Sequence, residues 1–221
     1  MRGSGLPWRP LRLPPVFLPV SILDQSVYIV IMPRPKAFHP DAALDRAMDL
    51  FWRNGFEGSS LAELLKAMGI SRQSLYNSFG NKRSLFLKVL DRYAEMKSMQ
   101  CLLLEKEGAN LTDVQLYFER LVGSMEAHPE YGACLMTVAA VELGLQDWAV
   151  KDRVEAHDLQ LKNALRHALE EDSRETAWDA DQQADKLVAL SKGLGVLARS
   201  GIGADGLRAI VGAEIQLLSA S

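Results

Sequence analysis

From Pro33 onward, apolar residues recur every three or four positions, and the breaks between runs carry glycine, proline or a short polar side chain. That period is the mark of consecutive amphipathic helices. The spacing predicts a first helix over 40–54: Pro40 suits a first turn, Leu44, Ala47, Met48 and Phe51 share one face, and Gly55 ends it. A short second helix follows over 60–68, capped by Ser59 or Ser60, with Leu61, Leu64 and Leu65 inside. Gly69 and Ile70 lead to a third over 71–79, closed by Gly80, and a long fourth runs from Lys82 toward Glu105. Beyond Gly108, Thr112-Asp113-Val114-Gln115 has capping-box form and opens a helix that Pro129 stops. The remaining helices are predicted over 134–143, 147–171, 179–200 and 204–219, the last two split by Gly201-Ile202-Gly203. No Asn-Gly hairpin sits between alternating β-branched runs, so strand signals are missing.

Residues 1–31 differ. Pro7, Pro10, Pro14, Pro15 and Pro19 crowd the first twenty positions and forbid a helix. They also cut the continuous apolar stretch that a secretory signal needs, and Asp24 follows it. The segment is expected to be poorly ordered, with Met32 the natural start and the preceding residues upstream sequence. The organisation expected is therefore a disordered extension over 1–31, a compact helical domain over 32–81 whose two short helices span about 60–79, and a further helical domain over 82–221.

Composition narrows the class. Of the 221 residues 48% are hydrophobic and 24% charged, which is enough apolar material for a buried core and excludes wholesale disorder. No apolar run reaches the roughly 18 residues of a membrane span. Two cysteines build no disulfide framework and have no metal-site spacing, which fits a reducing, cytoplasmic setting. The net charge of −3 conceals an asymmetry: +2 over residues 1–31, +4 over 32–100 and −9 over 101–221. A basic front third joined to an acidic remainder suggests that the front meets a polyanion.

Residues 59–79, SSLAELLKAMGISRQSLYNSF, supply the chemistry for that encounter. Two short helices packed across a tight glycine turn make a helix-turn-helix. Ile70, Leu75 and Phe79 would seat the second helix, leaving Arg72, Gln73, Ser74, Tyr76, Asn77 and Ser78 at partly outward positions. Arginine donates two hydrogen bonds to guanine, and Asn or Gln pairs with adenine. The start of such a helix enters the major groove, which brings Arg72 and Gln73 nearest the bases. Ser59 or Ser60 with the second helix's amides could hold one phosphate, and Lys82 another, with Tyr76 between. Arg34 and Lys36, in a proline-stiffened segment, could lie along the backbone or in a minor groove; a solvated tail is the alternative.

The stretch Ser59-Ser60-Leu61 … Met68-Gly69-Ile70-Ser71 … Leu75-Tyr76-Asn77-Ser78-Phe79 … Asn81-Lys82 … Leu85-Phe86, preceded by Ala43 … Leu50-Phe51 … Gly55-Phe56, resembles the DNA-binding domain of TetR/AcrR-type transcriptional regulators. The likeness covers about residues 38–95 and departs at Ser78, where the family often has histidine. Gly132-Ala133-Cys134-Leu135-Met136, Ala139-Ala140-Val141-Glu142 and the segment 193–199 echo its C-terminal region more loosely. The resemblance implies an all-α fold: a three-helix reading head plus a helical ligand-binding and dimerisation domain. It also implies a sequence-specific regulator, a repressor released by a small-molecule effector, that binds double-stranded DNA as a homodimer. Two copies would present their reading helices about 34–36 Å apart, so the operator should be roughly palindromic.

Other features carry weaker signals. Leu187, Leu190, Leu194 and Leu197 run at heptad spacing, and Leu207, Ile210, Val211, Ile215 and Leu218 form a matching stripe. Either set serves an intramolecular core, or the subunit interface that the resemblance implies. Met96, Met99, Phe118, Met125, Met136 and Trp148 are plausible walls of an apolar effector pocket, with ordinary core packing as the competing role. His39, His128, His157 and His167 never fall at metal-ligand spacing, so no metal or other cofactor is expected. Cys134, in an apolar helix, reads as a small buried hydrophobe before a sensor thiol. No glycine loop, nucleophile elbow or Cys/His pair suggests an enzyme. The rival readings are a helical interaction protein that no longer engages DNA, and an activator in place of a repressor.

Overall fold

The structure, a computed structural model, describes residues 17–22, 25–30, 38–172 and 178–220. Two units separate along the chain, one ending at His39 and one running from Pro40. In the first, β1 (Phe17–Ile22) and β2 (Gln25–Val30) pair antiparallel from Ile22↔Gln25 to Phe17↔Val30. No strands are expected here from the sequence; the rest of residues 1–31, on which the expectation of poor order also falls, lies outside the described residues. The run Val27-Tyr28-Ile29-Val30 is β-branched and aromatic, a composition that favours strands, and a two-residue connection replaces the Asn-Gly signal that was sought. Pro19 is tolerated because a strand in a two-stranded sheet has one unpaired edge, where a missing N–H costs nothing.

The second unit is all-α among the described residues. Its helices are α1 (Pro40–Asn54), α2 (Leu61–Met68), α3 (Arg72–Phe79), α4 (Lys82–Glu105), α5 (Leu111–Ala127), α6 (Leu135–Leu143), α7 (Trp148–Glu170), α8 (Ala180–Arg199) and α9 (Ala204–Ser219). Short polar residues start most of them by accepting an otherwise orphaned helix N–H: Ser60, Ser71, Asn81, Asp147 and Asp179 each do so. The capping box of α5 lies earlier than the sequence suggested. Asn110 and Asp113 form it, because Leu111 already belongs to the helix. Helices α1, α2 and α3 pack with the front half of α4 to form the head. The rest of α4 packs on α5 and α7, with α8 on α7 and α9 on α5. A second apolar core runs from Cys101 and Leu104 through Phe118 and Leu165 to Leu194 and Leu207.

Candidate functional site

The reading head is built around Gly69. Its backbone sits in the left-handed region at φ +68°, closing α2 with its N–H on the Leu65 carbonyl at 3.0 Å, and no other residue adopts that conformation as cheaply. Arg46 of α1 donates to the Met68 carbonyl at 2.8 Å, so α1 also fixes the C-terminus of α2. Leu64, Met68, Leu75 and Phe79 are buried beneath the turn, with Ile70 half-buried beside them. Arg72, Gln73, Tyr76 and Asn77 of α3 are exposed, and Ser74 and Ser78 half-exposed. Gln73 Nε2 donates to Asn77 Oδ1 at 2.9 Å, which holds two exposed side-chain amides in one orientation. Ser74 is partly spent on the cap, its N–H bonded to Ser71 Oγ at 3.1 Å. Among the described residues Arg72 has no ion-pair or hydrogen-bond partner.

The two proposed phosphate holders before α2 divide. Ser60 is exposed, and its hydroxyl and N–H bind the Glu63 carboxylate at 2.6 and 2.9 Å, a reciprocal cap that puts a negative charge at the helix start. Ser59 is fully buried, and its hydroxyl donates to the Gly55 carbonyl at 2.7 Å. It cannot reach a phosphate; it ties the α1–α2 turn. Ser59→Ala should therefore lower stability by about 1–3 kcal/mol, the cost of an unmet buried acceptor. It should leave the salt dependence of DNA binding unchanged. Denaturant titration and binding isotherms at several salt concentrations check both halves. Lys82, in the first turn of α4, lies 4.3 Å over the Phe56 ring. Arg34 and Lys36 lie outside the described residues.

A cavity lies where the head meets the remaining helices. Its lining includes Trp52 of α1, Tyr93, Lys97 and Cys101 of α4, Tyr117 and Met125 of α5, Cys134, and His157 of α7. Its volume is about 60 Å³, on a measure by which one water needs roughly 10–15 Å³. The segment entering α6 forms the wall facing Trp52. Trp52 Nε1 donates to the Ala133 carbonyl at 2.7 Å, its indole stacks on Tyr131 at 4.3 Å, and Tyr131 Oη donates to Asp49 at 2.9 Å. Behind it, a Cβ on Gly195 would come within 2.9 Å of Ala133 Cα, so α8 presses directly on that backbone. At the far end of α6, Glu142 accepts the Phe56 N–H at 2.5 Å. Gly55 beside it has φ +75°, and any Cβ there would strike the same carboxylate. Both ends of α6 thus hold the C-terminal end of α1.

Only Met125 of the six expected pocket residues lines this cavity. Met96, Met99 and Trp148 face outward, the last two at 71% and 79% exposure, while Phe118 and Met136 are core. The expected interface set is also mostly internal: Leu187, Leu194, Leu207, Val211 and Leu218 are buried, and Leu190, Leu197 and Ile215 pack against the same core. Ile210 is exposed, and the outward faces of α8 and α9 add Val196 and Leu217 to it. Cys134 is not inside a helix but is the N-cap of α6, half-buried and opening on the cavity. Trp52, Tyr93, Lys97 and His157 were not singled out from the sequence for this role. No described helix is long and apolar enough to cross a membrane.

Comparison with known proteins agrees with this geometry. The sequence profile described as bacterial regulatory proteins, tetR family, matches residues 43–89, and that of the tetracyclin repressor-like C-terminal domain matches 111–201. The chain is 29% identical over 190 residues to the HTH-type transcriptional repressor ComR of Escherichia coli (strain K12), covering 83% of this chain and 90% of that one. It is 34% identical over 139 residues to the uncharacterized HTH-type transcriptional regulator YezE of Bacillus subtilis (strain 168), covering 62% and 72%. Among solved structures, a cysteine mutant of the TetR family regulator CifR, complexed with a 26-base-pair operator DNA, superposes with a TM-score of 0.74 at 28% identity, covering 84% of this chain and 99% of that one. The chain belongs to the tetR family of bacterial regulatory proteins and is a DNA-binding transcriptional regulator.

Proposed function

We propose that the chain is a cytoplasmic homodimeric repressor whose two α3 helices grip a palindromic operator, and whose grip a small molecule in the α1–α4–α6 cavity relaxes. The observation that carries this reading is the cavity's position. Trp52 in one wall belongs to the helix that fixes the reading head, and the opposite wall is bonded to it through Ala133 and Tyr131. A ligand between the walls has different contacts when they part, and that difference is what shifts a two-state equilibrium, by about 1–3 kcal/mol in typical couplings. The relatives fit the reading: ComR is named a repressor, and CifR is bound to operator DNA.

The partner surface proposed is the outward face of α8 and α9. Ala189, Gly193, Val196 and Ser200 fall on one exposed stripe, and Gly206, Ile210, Ala213 and Leu217 on the other. Small residues between large ones let helices of a second copy approach closely, and packing two helices from each gives a four-helix bundle. Genomic footprinting with the purified chain should return a short inverted repeat, and light scattering should give twice the chain mass. A protein that stays single-copy and protects no sequence would end the reading.

Lys82 tests the phosphate contact. Each neutralised phosphate contributes about 0.9 to the slope of log K against log salt, so Lys82→Ala should flatten the slope by about two in a dimer. An unchanged slope would leave Lys82 with only its packing against Phe56.

A further inference from the structure

Cys134 has the surroundings of a reactive thiol. Its Sγ accepts a hydrogen bond from Tyr93 Oη at 3.3 Å, it caps α6, and it opens on the cavity. The His157 imidazole acts on the same sulfur from α7, and the buried Nδ1 of that ring has no hydrogen-bond partner among the described residues. Burial alone would raise the thiol's pKa. The neighbouring His157 imidazole, the Tyr93 hydroxyl and the Thr137 N–H outweigh it and bring the value down to about 7. Cys101 lines the same cavity without those donors, and burial and Glu105 push it up to about 11. The other titratable groups facing the space are Tyr93 and Lys97 of α4, Tyr117 of α5, His128 and Tyr131 before α6, and His157. Burial raises both Tyr93 and Tyr117, keeping them protonated donors, and lowers Lys97. Helix α8 contributes only Ser191 and α1 only Trp52.

We propose that the effector of this cavity is a small soft electrophile, an α,β-unsaturated carbonyl compound, captured covalently by Cys134. The inference deepens the effector-controlled reading above and rests on it. The step balances within the site. The thiol proton passes to His157, and the sulfur's electron pair forms a bond to the β-carbon. The C=C π pair shifts to join the α-carbon and the carbonyl carbon as the C=O π pair moves onto oxygen, and the enolate takes the proton back at its α-carbon as the C=O re-forms. Hydrogen and sulfur have then added across one double bond, with no oxidant or co-reactant. Lys97, within 5.6 Å of the Trp52 ring and 5.5 Å of Tyr93, is a cation on the same wall that stabilises the enolate oxygen. The space of about 60 Å³ corresponds to roughly four to six waters, which limits the compound to a few heavy atoms. An adduct at Cys134 lengthens the side chain one residue from Ala133, whose carbonyl holds Trp52.

The test uses the full-length chain and acrolein, with intact-mass and peptide readouts. Cys134 should gain one acrolein at least about tenfold faster than Cys101 at pH 7, as expected for thiols of such different acidity. Its rate should inflect near pH 7. The fast phase should persist in Cys101→Ser, vanish in Cys134→Ser, and inflect at higher pH in His157→Gln. Equal slow reaction of both cysteines, reaction at Cys101 first, or an inflection near the ordinary thiol value of about 8.5 would overturn the proposal. Operator affinity is measured on the same samples. Modified wild type should bind at least tenfold more weakly, with Cys134→Ser unaffected by acrolein; an adduct at Cys134 without that loss overturns the effector assignment. An unmodified chain that binds no operator would instead sink the repressor reading, while the mass and rate data still decide the thiol.

Discussion

Phe86→Ala is expected to cost about 3–5 kcal/mol of stability, the range for deleting a buried aromatic ring whose cavity cannot fully collapse. Phe86 of α4 is fully buried. It meets Phe51 of α1 edge-on at 4.9 Å and Phe56 of the α1–α2 turn at 5.1 Å. Those three rings are the apolar joint between the reading head and the long helix. For a chain of this size about 2–4 °C of melting temperature follows each kcal/mol, so the midpoint should fall by about 6–20 °C. Phe86→Leu keeps most of the volume and should cost less than half as much. Calorimetry of both variants checks the ordering; a fall below about 2 °C for the alanine variant would show that the joint re-packs, a small loss by the usual scale of core truncations.

The head was legible because its determinants are local. Caps, a turn glycine and two buried faces lie within 21 consecutive residues, 59–79, and each acts on its neighbours. The cavity was illegible for the opposite reason: Trp52 and Ala133 meet across 81 positions, and no periodicity encodes such a meeting. In α4 a second effect misled the reading. The inward face runs through Phe86, Leu90, Tyr93, Lys97, Cys101 and Leu104, so a lysine stands where the apolar pattern should continue. Met96 and Met99 fall between those positions and look outward. Buried Ser59 shows the same limit on a smaller scale, since its composition matches a phosphate contact and only its depth reveals a structural bond. In α8 the heptad leucines Leu187 and Leu194 are both fully buried, because a strong apolar stripe serves the chain's own core first. The outward face proposed for a second copy carries smaller residues, which hydrophobicity alone does not pick out.

Arg72→Ala should weaken binding to the cognate operator by about 1–3 kcal/mol for each half-site, and by about 2–6 kcal/mol for a symmetric pair. In the proposed dimer the two reading helices would lie about 34–36 Å apart, one groove repeat, so their losses should add. The side chain is exposed, without an ion-pair partner among the described residues, in the first turn of α3. A cation there opposes the helix dipole, so its removal should not lower stability; the melting temperature should stay the same or rise slightly. Affinity and folding are thereby separated, and a loss of binding cannot be assigned to unfolding. Arg72→Lys divides the remaining alternatives, because lysine keeps the charge and loses the planar fork that matches a guanine edge. If Arg72 reads a base, the lysine variant should retain non-specific binding and still lose preference at one base pair in each half-site. If it only neutralises a phosphate, lysine should restore affinity on all sequences alike, and the alanine variant should lose affinity equally on all of them. Competition of the operator against point-substituted duplexes at fixed salt distinguishes the two, and the second result would move base reading to the Gln73–Asn77 pair held together on the same face.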